Sequence, residues 1–270
     1  MVHFETYIIS FFSYFDINLS IKLAGAPNSR KLEKTDICLM DMGTEYHCYA
    51  SDITCSFPAN GKFSSDQRII YKGVLEAQRC VYAMLRPGVS WTDCHKVAEA
   101  AIIRSLLRLG VLYAGDLSID VLVEERICGI FMPHGLGHFI GIDTHDVGGY
   151  LDGYPKRSEL PGLRSLRTAR IMEENMVLTV EPGCYFIDHL LDEALNNKRI
   201  TTYLVRSRID ELRGIGGVRL EDVVMITKNG CNNFTCCPRT VSEVEHVMAG
   251  GKWPPVKDEA PELYRSRLVK

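Results

Sequence analysis

The sequence predicts an α+β fold, and three features carry that expectation. Two long stretches repeat apolar residues at helical spacing. Four runs of β-branched and aromatic residues lie on either side of them rather than alternating with them. Each of those runs also contains an acidic residue where an ordinary core strand would place another apolar one.

Taken in chain order, "ICLMDM" (37–42) and "YASDITCSF" (49–57) read as two strands joined by "GTEYHC". A hairpin turning at Tyr46 and His47 would set Asp41 directly opposite Asp52, with Cβ atoms ~5 Å apart. From Ser65 to about Leu85, Ile70, Val74, Ala77, Val81 and Met84 recur at three- and four-residue steps. Ser65 offers an N-cap and Pro87-Gly88 ends the pattern. A second helix is expected from about Thr92 to Leu109, with Ala98, Ile102, Leu106 and Leu109 on one stripe and Gly110 as its stop. "NMVLTVEPGCYF" (175–186) and "GGVRLEDVVMIT" (216–227) read as further strands, and a short helix follows Thr240 through Met248. Period-two alternation puts Glu181 on the face of Val177 and Thr179, and puts Arg219 on the face of Glu221.

Between the second helix and the third strand run lies "FMPHGLGHFIGIDTHDVGG" (131–149), with His134, His138 and His145 at offsets of four and seven. On a helix those rings would share one face, but Pro133 and the glycines at 135, 137, 141, 148 and 149 oppose a helix. An extended or looped backbone is expected, its imidazoles converging on a tertiary site. A lone acid at a strand end is usually a solvated edge or the partner of a nearby arginine. Four acids on four strands beside a three-histidine loop point instead to a metal site. Oxygen donors with one imidazole suit Mn²⁺ or Co²⁺ most naturally, with Zn²⁺ also compatible. Four carboxylates bring a charge of −4, which two divalent ions neutralise, so charge balance favours two metals over one.

Composition bounds the remaining classes. Hydrophobic residues make up 46% of the 270, charged residues 24%, and the net charge is −3, giving no electrostatic case for nucleic acid or an anionic membrane. Ten cysteines without a CxxC pair fit reduced thiols and a cytoplasmic setting better than a disulfide scaffold. "YIISFFSYF" (7–15) follows Glu5 rather than Lys or Arg and is too short to span a membrane, so it reads as a buried strand or a leader. The tail "GKWPPVKDEAPELYRSRLVK", with three prolines and many charges, reads as a surface extension.

These residues resemble the pita-bread metallopeptidases, and within that group the Xaa-Pro dipeptidases. The likeness rests on "AGAPNSR", "DMGTEYHCYASDITCSFPANGKF", "FMPHGLGHFIGIDTHDVGGY", "PGLRSLRTAR", "MVLTVEPGCYFIDHLLDEAL" and "GGVRLEDVV". It implies a pita-bread catalytic domain over 23–248, a divergent leader over 1–22 and a C-terminal extension over 249–270. It further implies metal ligands at Asp41, Asp52, His138, Glu181 and Glu221, with Asp52 and Glu221 bridging two ions, Mn²⁺ foremost. His134 and His145 would line the pocket and stabilise the oxyanion, Glu181 would shuttle a proton, and His145, Arg167 and Arg219 would contact the substrate. The implied reaction is hydrolysis of a dipeptide with C-terminal proline by a metal-bridging hydroxide, in a homodimer. Two departures from the family pattern stand out. Ser20 in "NLSIKL" occupies the place of a family histidine, and the segment the family carries ahead of "AGAPN" has no counterpart here. They support an alternative expectation, a truncated and catalytically impaired metal-binding relative with exposed apolar surface, beside an aminopeptidase P-like one.

Overall fold

The computed structural model describes residues 31–266. The leader, Ser20 and the "AGAPNSR" stretch lie outside the described residues. Strand β1 (Ile37–Met42) pairs antiparallel with β4 (Ile53–Pro58), and the hairpin continues through β2 (Glu45–Tyr46) and β3 (Tyr49–Ala50). The turn centres one residue later than expected, on His47 and Cys48, which both adopt positive φ (49° and 68°). Two successive left-handed residues give the backbone twist that a two-residue hairpin needs. Asp41 therefore faces Thr54, not Asp52. The register moves by two positions, and because side chains alternate with period two, Asp52 stays on the same face as Asp41 as its diagonal neighbour.

Helix α1 (Ser65–Met84) starts one residue after its cap. Ser64 accepts from the Gln67 amide and the Gln67 side chain accepts from the Ser64 amide, a reciprocal capping box. Helix α2 (Trp91–Leu109) stops at Gly110, whose φ of 80° suits glycine. The two helices pack closely where Gly73 meets Ser105, since a Cβ at 73 would lie 2.3 Å from the serine side chain. Ile70, Val74 and Val81 of α1 and Ala98, Ile102 and Leu106 of α2 join one buried cluster with Leu178, Val180, Val224 and Ile226. Each such aliphatic side chain contributes roughly 1.5–3 kcal/mol on burial.

Those sheet residues belong to β5 (Val177–Val180) and β8 (Asp222–Thr227), which form an antiparallel sheet with β9 (Gly230–Asn233) in the order β5-β8-β9. Strand β6 (Gly183–Tyr185) pairs with β7 (Gly217–Arg219). Hydrogen bonds from the Arg219 amide to Ser56 Oγ (3.1 Å) and from the Glu221 amide to the Thr54 carbonyl (3.1 Å) join β4 to these strands. The two long runs expected as single strands are each broken, at Glu181-Pro182 and at Leu220-Glu221. Three of the four acids thus sit in gaps between strands rather than in mid-strand: Asp52, Glu181 and Glu221. At a break the backbone leaves the ladder, so a carboxylate there can turn toward a shared point.

The flanking helices confirm the α+β class, with α3 (Ile119–Glu124), α4 (Asp188–Asn196) and α5 (Arg206–Leu212) too short to register in a periodicity reading. Helix α6 (Val241–Met248) begins at Thr240 with its own capping box through Glu243. Along its described length the tail lies mostly at the surface but is pinned to the rest of the fold at a few points. Leu263 and Ala260 are fully buried, the Trp253 indole donates to the Cys236 carbonyl, and Arg265 pairs with Glu243 and Asp258.

Residues 136–140 run extended along β5, with amide-to-carbonyl bonds Thr179 to His138 and Glu181 to Leu136, both 2.8 Å. Glycine is required for that approach, because a Cβ at 137 would lie 2.1 Å from the Thr179 carbonyl oxygen. Gly137→Ala is therefore expected to cost about 2 kcal/mol or more of unfolding free energy, measured by urea denaturation.

Candidate metal centre

Five side chains from five separate stretches meet in one place. Asp41 lies on β1, Asp52 between β3 and β4, His138 on the extended segment, Glu181 after β5, and Glu221 before β8. Donor atoms of Asp41, Asp52 and Glu221 lie within 4.8 Å of one another, as do those of His138, Glu181 and Glu221. A third group of the same tightness comprises Asp52, His138 and His145. His138 Nε2 is 3.5 Å from both Asp52 Oδ2 and Glu181 Oε1. Its Nδ1–H donates to the Phe139 carbonyl at 2.9 Å, which turns the unprotonated Nε2 of the neutral ring toward the carboxylates.

Several residues that the sequence did not single out aim these groups. Thr54 donates to Glu221 Oε2 at 2.6 Å, and Thr179 donates to Glu181 Oε1 at 3.2 Å. Each lies two residues along a strand from an acid, so alternation was the signal. Gln78, fully buried on α1, donates to the carbonyls of Val180 (3.2 Å) and Leu220 (3.0 Å). Those carbonyls immediately precede Glu181 and Glu221, where the ladders end. A glutamine inside an apolar helical stripe was the available clue.

Arg219 supplies the nearest guanidinium. It pairs with Asp41, donates from Nε to Thr54 Oγ1 (3.1 Å) and from Nη1 to the Tyr185 hydroxyl (3.2 Å), and lies 3.9–4.0 Å from Glu221 and Glu181. Its fork is thus committed to the carboxylates and is mostly buried. Arg167, by contrast, is exposed and close enough to His145 to depress its pKa. His134 is engaged at both nitrogens, donating from Nδ1 to the Gly135 carbonyl (2.8 Å) and accepting at Nε2 from Tyr185 (3.1 Å). His145 is exposed and stands edge-on to His138, with ring centroids 4.4 Å apart.

Burial and mutual repulsion dominate the electrostatics. Burial, opposed by Arg219 but reinforced by Asp52 and Glu181, raises Asp41 to about 7. Glu221 is pushed well above the usual carboxylate range by burial and by Glu181 and Asp52. Glu181 rises for the same first reason, partly offset by His138 and Arg219. Asp52 alone moves down, because its bonds to His138 and Asp41 outweigh burial. Burial would depress His138, but Asp52 and Glu181 raise it. Burial holds His134 at about 3 and His145 at about 4, so both rings are neutral near pH 7. A cluster in which three of four acids resist ionisation until a cation arrives, with an imidazole lone pair aimed among them, fits divalent metal ions.

The sequence model of metallopeptidase family M24 matches residues 9–228. The chain belongs to metallopeptidase family M24. Members of this family use divalent metal ions, and the five converging donors give this M24 chain a site suited to them. It is 53% identical over 227 residues to the human Xaa-Pro dipeptidase, an alignment covering 84% of this chain and 45% of that protein. It is 41% identical over 211 residues to a probable Xaa-Pro aminopeptidase of Podospora anserina, covering 78% and 45%. Among solved structures it resembles aminopeptidase PepP of Pseudomonas aeruginosa, with a TM-score of 0.63 and 37% identity over 82% of this chain and 43% of that one. A zinc-substituted Escherichia coli aminopeptidase P in complex with product gives a TM-score of 0.63 at 33% identity, over 83% and 44%. The fold is the pita-bread fold of these neighbours. The M24 chain spans about half the length of the curated relatives it matches. None of the helices among its described residues is long and apolar enough to cross a membrane.

Raised acids must surrender protons when a cation binds. Asp41, protonated below about 7 and joined in that shift by Glu181 and Glu221, makes ion binding proton-releasing on the acidic side of neutrality. The same shift lets protonated Asp41 favour the metal-free fold fully below its unfolded value, a contribution lost as pH rises through about 7. Titrating Mn²⁺ at pH 6 in buffers of different ionisation enthalpy should show net proton release, shrinking toward pH 8. A buffer-independent enthalpy at pH 6 would contradict the raised carboxylates.

Proposed function

We propose that this chain carries a dinuclear metal centre and hydrolyses the bond preceding proline in Xaa-Pro dipeptides, with Mn²⁺ as the preferred ion. The observation that carries this reading is the convergence of Asp41, Asp52, His138, Glu181 and Glu221, whose donor atoms fall into overlapping clusters of metal-site size. Glu221 belongs to both the Asp41–Asp52 group and the His138–Glu181 group, and Asp52 contacts both Asp41 and His138, which supports Asp52 and Glu221 as the shared ligands. Bound divalent ions would supply a water-derived nucleophile near neutral pH and polarise the scissile carbonyl.

The chain's own residues account for the remaining steps. Glu181, beside His138 in the cluster, can take up the proton released by the nucleophile and pass it to the departing proline nitrogen, which must be protonated to leave. His145, neutral and exposed beside His138, can donate an N–H to negative charge developing on the carbonyl oxygen. His134 orients Tyr185, which in turn braces Arg219 beside Asp41. Arg167, exposed next to His145, is the fork available to a free C-terminal carboxylate, while Arg219 holds the ligand carboxylates in position. Dipeptide preference follows from a carboxylate clamp close to the metals. Its absence would favour the longer peptides suited to an aminopeptidase P-like enzyme.

The test is proline release from Gly-Pro by the Mn²⁺-loaded chain, compared with longer Xaa-Pro peptides. Asp52→Asn should lose both ions by metal analysis and all turnover. Arg167→Ala should raise KM for Gly-Pro by about tenfold or more with a smaller change in kcat. Equal or better cleavage of longer peptides would replace the dipeptidase reading with the aminopeptidase one. Intact ion binding without proline release from any Xaa-Pro substrate would leave a metal-binding protein only.

A further inference from the structure

On the side of β4 away from the metal ligands, a second chemical group is assembled. Cys55 lies in mid-strand between Thr54 and Ser56, both of which face the metal centre. Its own side chain points the other way, toward the segment that follows β9, where the Cys237 thiol lies near enough for the two sulfurs to influence each other's ionisation. Arg239 Nη1 donates to Cys55 Sγ at 3.5 Å. That guanidinium is 1% exposed and held rigidly, bonded to Asp222 Oδ1 (2.5 Å), to the Thr54 carbonyl (2.9 Å) and to the Glu221 carbonyl (2.6 Å). Both thiols remain partly accessible. A thiol beside a fixed cation, with a second thiol close by, is the arrangement of an attacking and a resolving cysteine.

We propose that Cys55 and Cys237 form a peroxide-sensitive thiol pair, with Cys55 attacking, Cys237 resolving, and Arg239 fixing the attacking sulfur. The electrostatics agree. The nearby Cys237 thiol and the Arg239 charge bring Cys55 down to about 6 against burial. Burial instead pushes the thiols of Cys94, Cys184 and Cys231 up to about 12, which leaves them unreactive. In the first step the Cys55 thiolate attacks one oxygen of hydrogen peroxide. The S–O bond forms as the O–O bond breaks, the sulfur is oxidised to a sulfenic acid, and hydroxide departs. The Cys237 thiol then attacks that sulfur, the S–S bond forms as the S–O bond breaks, and the hydroxyl leaves with the Cys237 proton as water. The disulfide would tether the segment after β9 to β4 and take away the thiolate partner of Arg239. That side chain also holds the Glu221 backbone, so the pair lies one residue contact from the metal centre without being part of it.

The test needs no enzymatic activity. The purified chain is treated with hydrogen peroxide near neutral pH, capped with N-ethylmaleimide and mapped by tandem mass spectrometry. A Cys55–Cys237 cross-link is expected, persisting in Cys236→Ala and absent from Cys55→Ser. In Cys237→Ala, dimedone should capture a sulfenic acid at Cys55 about tenfold more than at the exposed Cys48. Oxidation concentrated on Cys48, or a cross-link to Cys236 that survives in Cys237→Ala, would overturn the proposal. If Cys237→Ala fails to fold by circular dichroism, the Cys236→Ala and wild-type maps decide between these outcomes.

Discussion

Four carboxylates held within a few ångströms of one another are the constraint around which this molecule is built. Among the described residues little positive charge stands against them, one guanidinium from Arg219 and one imidazole from His138. Burial and repulsion therefore raise three of the four acids. Such a cluster is unfavourable as a purely structural device, because an apolar set of similar volume would pack there without the desolvation cost. Its persistence on five separate stretches makes sense when binding a cation returns that cost as folding free energy.

Holding the acids in place is a task for neutral groups and one buried ion pair. Asp222 and Arg239 are nearly inaccessible, and Asp222 also accepts from Tyr82 (2.7 Å) on α1 and Asn233 (2.7 Å) on β9. Through Arg239 the same unit reaches the carbonyls of Thr54 and Glu221. A helix, a hairpin and a sheet are thereby fixed to the backbone of two adjacent site positions. Gln78 performs the matching task at Val180 and Leu220. Because α1 packs on α2 through a Gly73–Ser105 contact too close for a Cβ, the position of Gln78 is itself set by the core. Buried polar groups of this kind contribute little net stability but penalise any other arrangement, since each would leave a donor or acceptor unpaired.

How much of this was legible in the sequence depended on the range of the interaction. The long helices were readable because their apolar stripes and caps are local, with one cap placed a residue late, Ser65 for Ser64, whereas the short α3, α4 and α5 gave no periodic signal. The four acids were readable as a set because charge in an apolar run is anomalous wherever it occurs, whereas only the family resemblance set His138 apart from His134 and His145. Strand continuity was misread at Glu181 and Glu221: Pro182 and Gly183, poor strand residues, marked the first break, while the second lies between apolar residues on both sides. The hairpin register was misread because two positive-φ residues, His47 and Cys48, form a turn without the glycine or asparagine that usually marks it. The anchoring of the tail was not legible, because Leu263 and Arg265 find partners visible only in three dimensions.

The three histidines show how identical side chains acquire different capacities from their surroundings. His138 gives its Nδ1–H to a backbone carbonyl, so in the neutral ring the remaining lone pair points at Asp52 and Glu181, a ligand's posture. His134 makes the same kind of backbone bond, but its other nitrogen meets the Tyr185 hydroxyl. His145 has neither commitment, and its exposure leaves it free to turn a proton outward. Sequence spacing treats the three as equivalent; the carbonyls of Gly135 and Phe139 and the hydroxyl of Tyr185 separate them. The glycines of this segment serve that separation, because only a backbone able to pass within contact distance of Thr179 can bring His138 to the acids while leaving His145 at the rim.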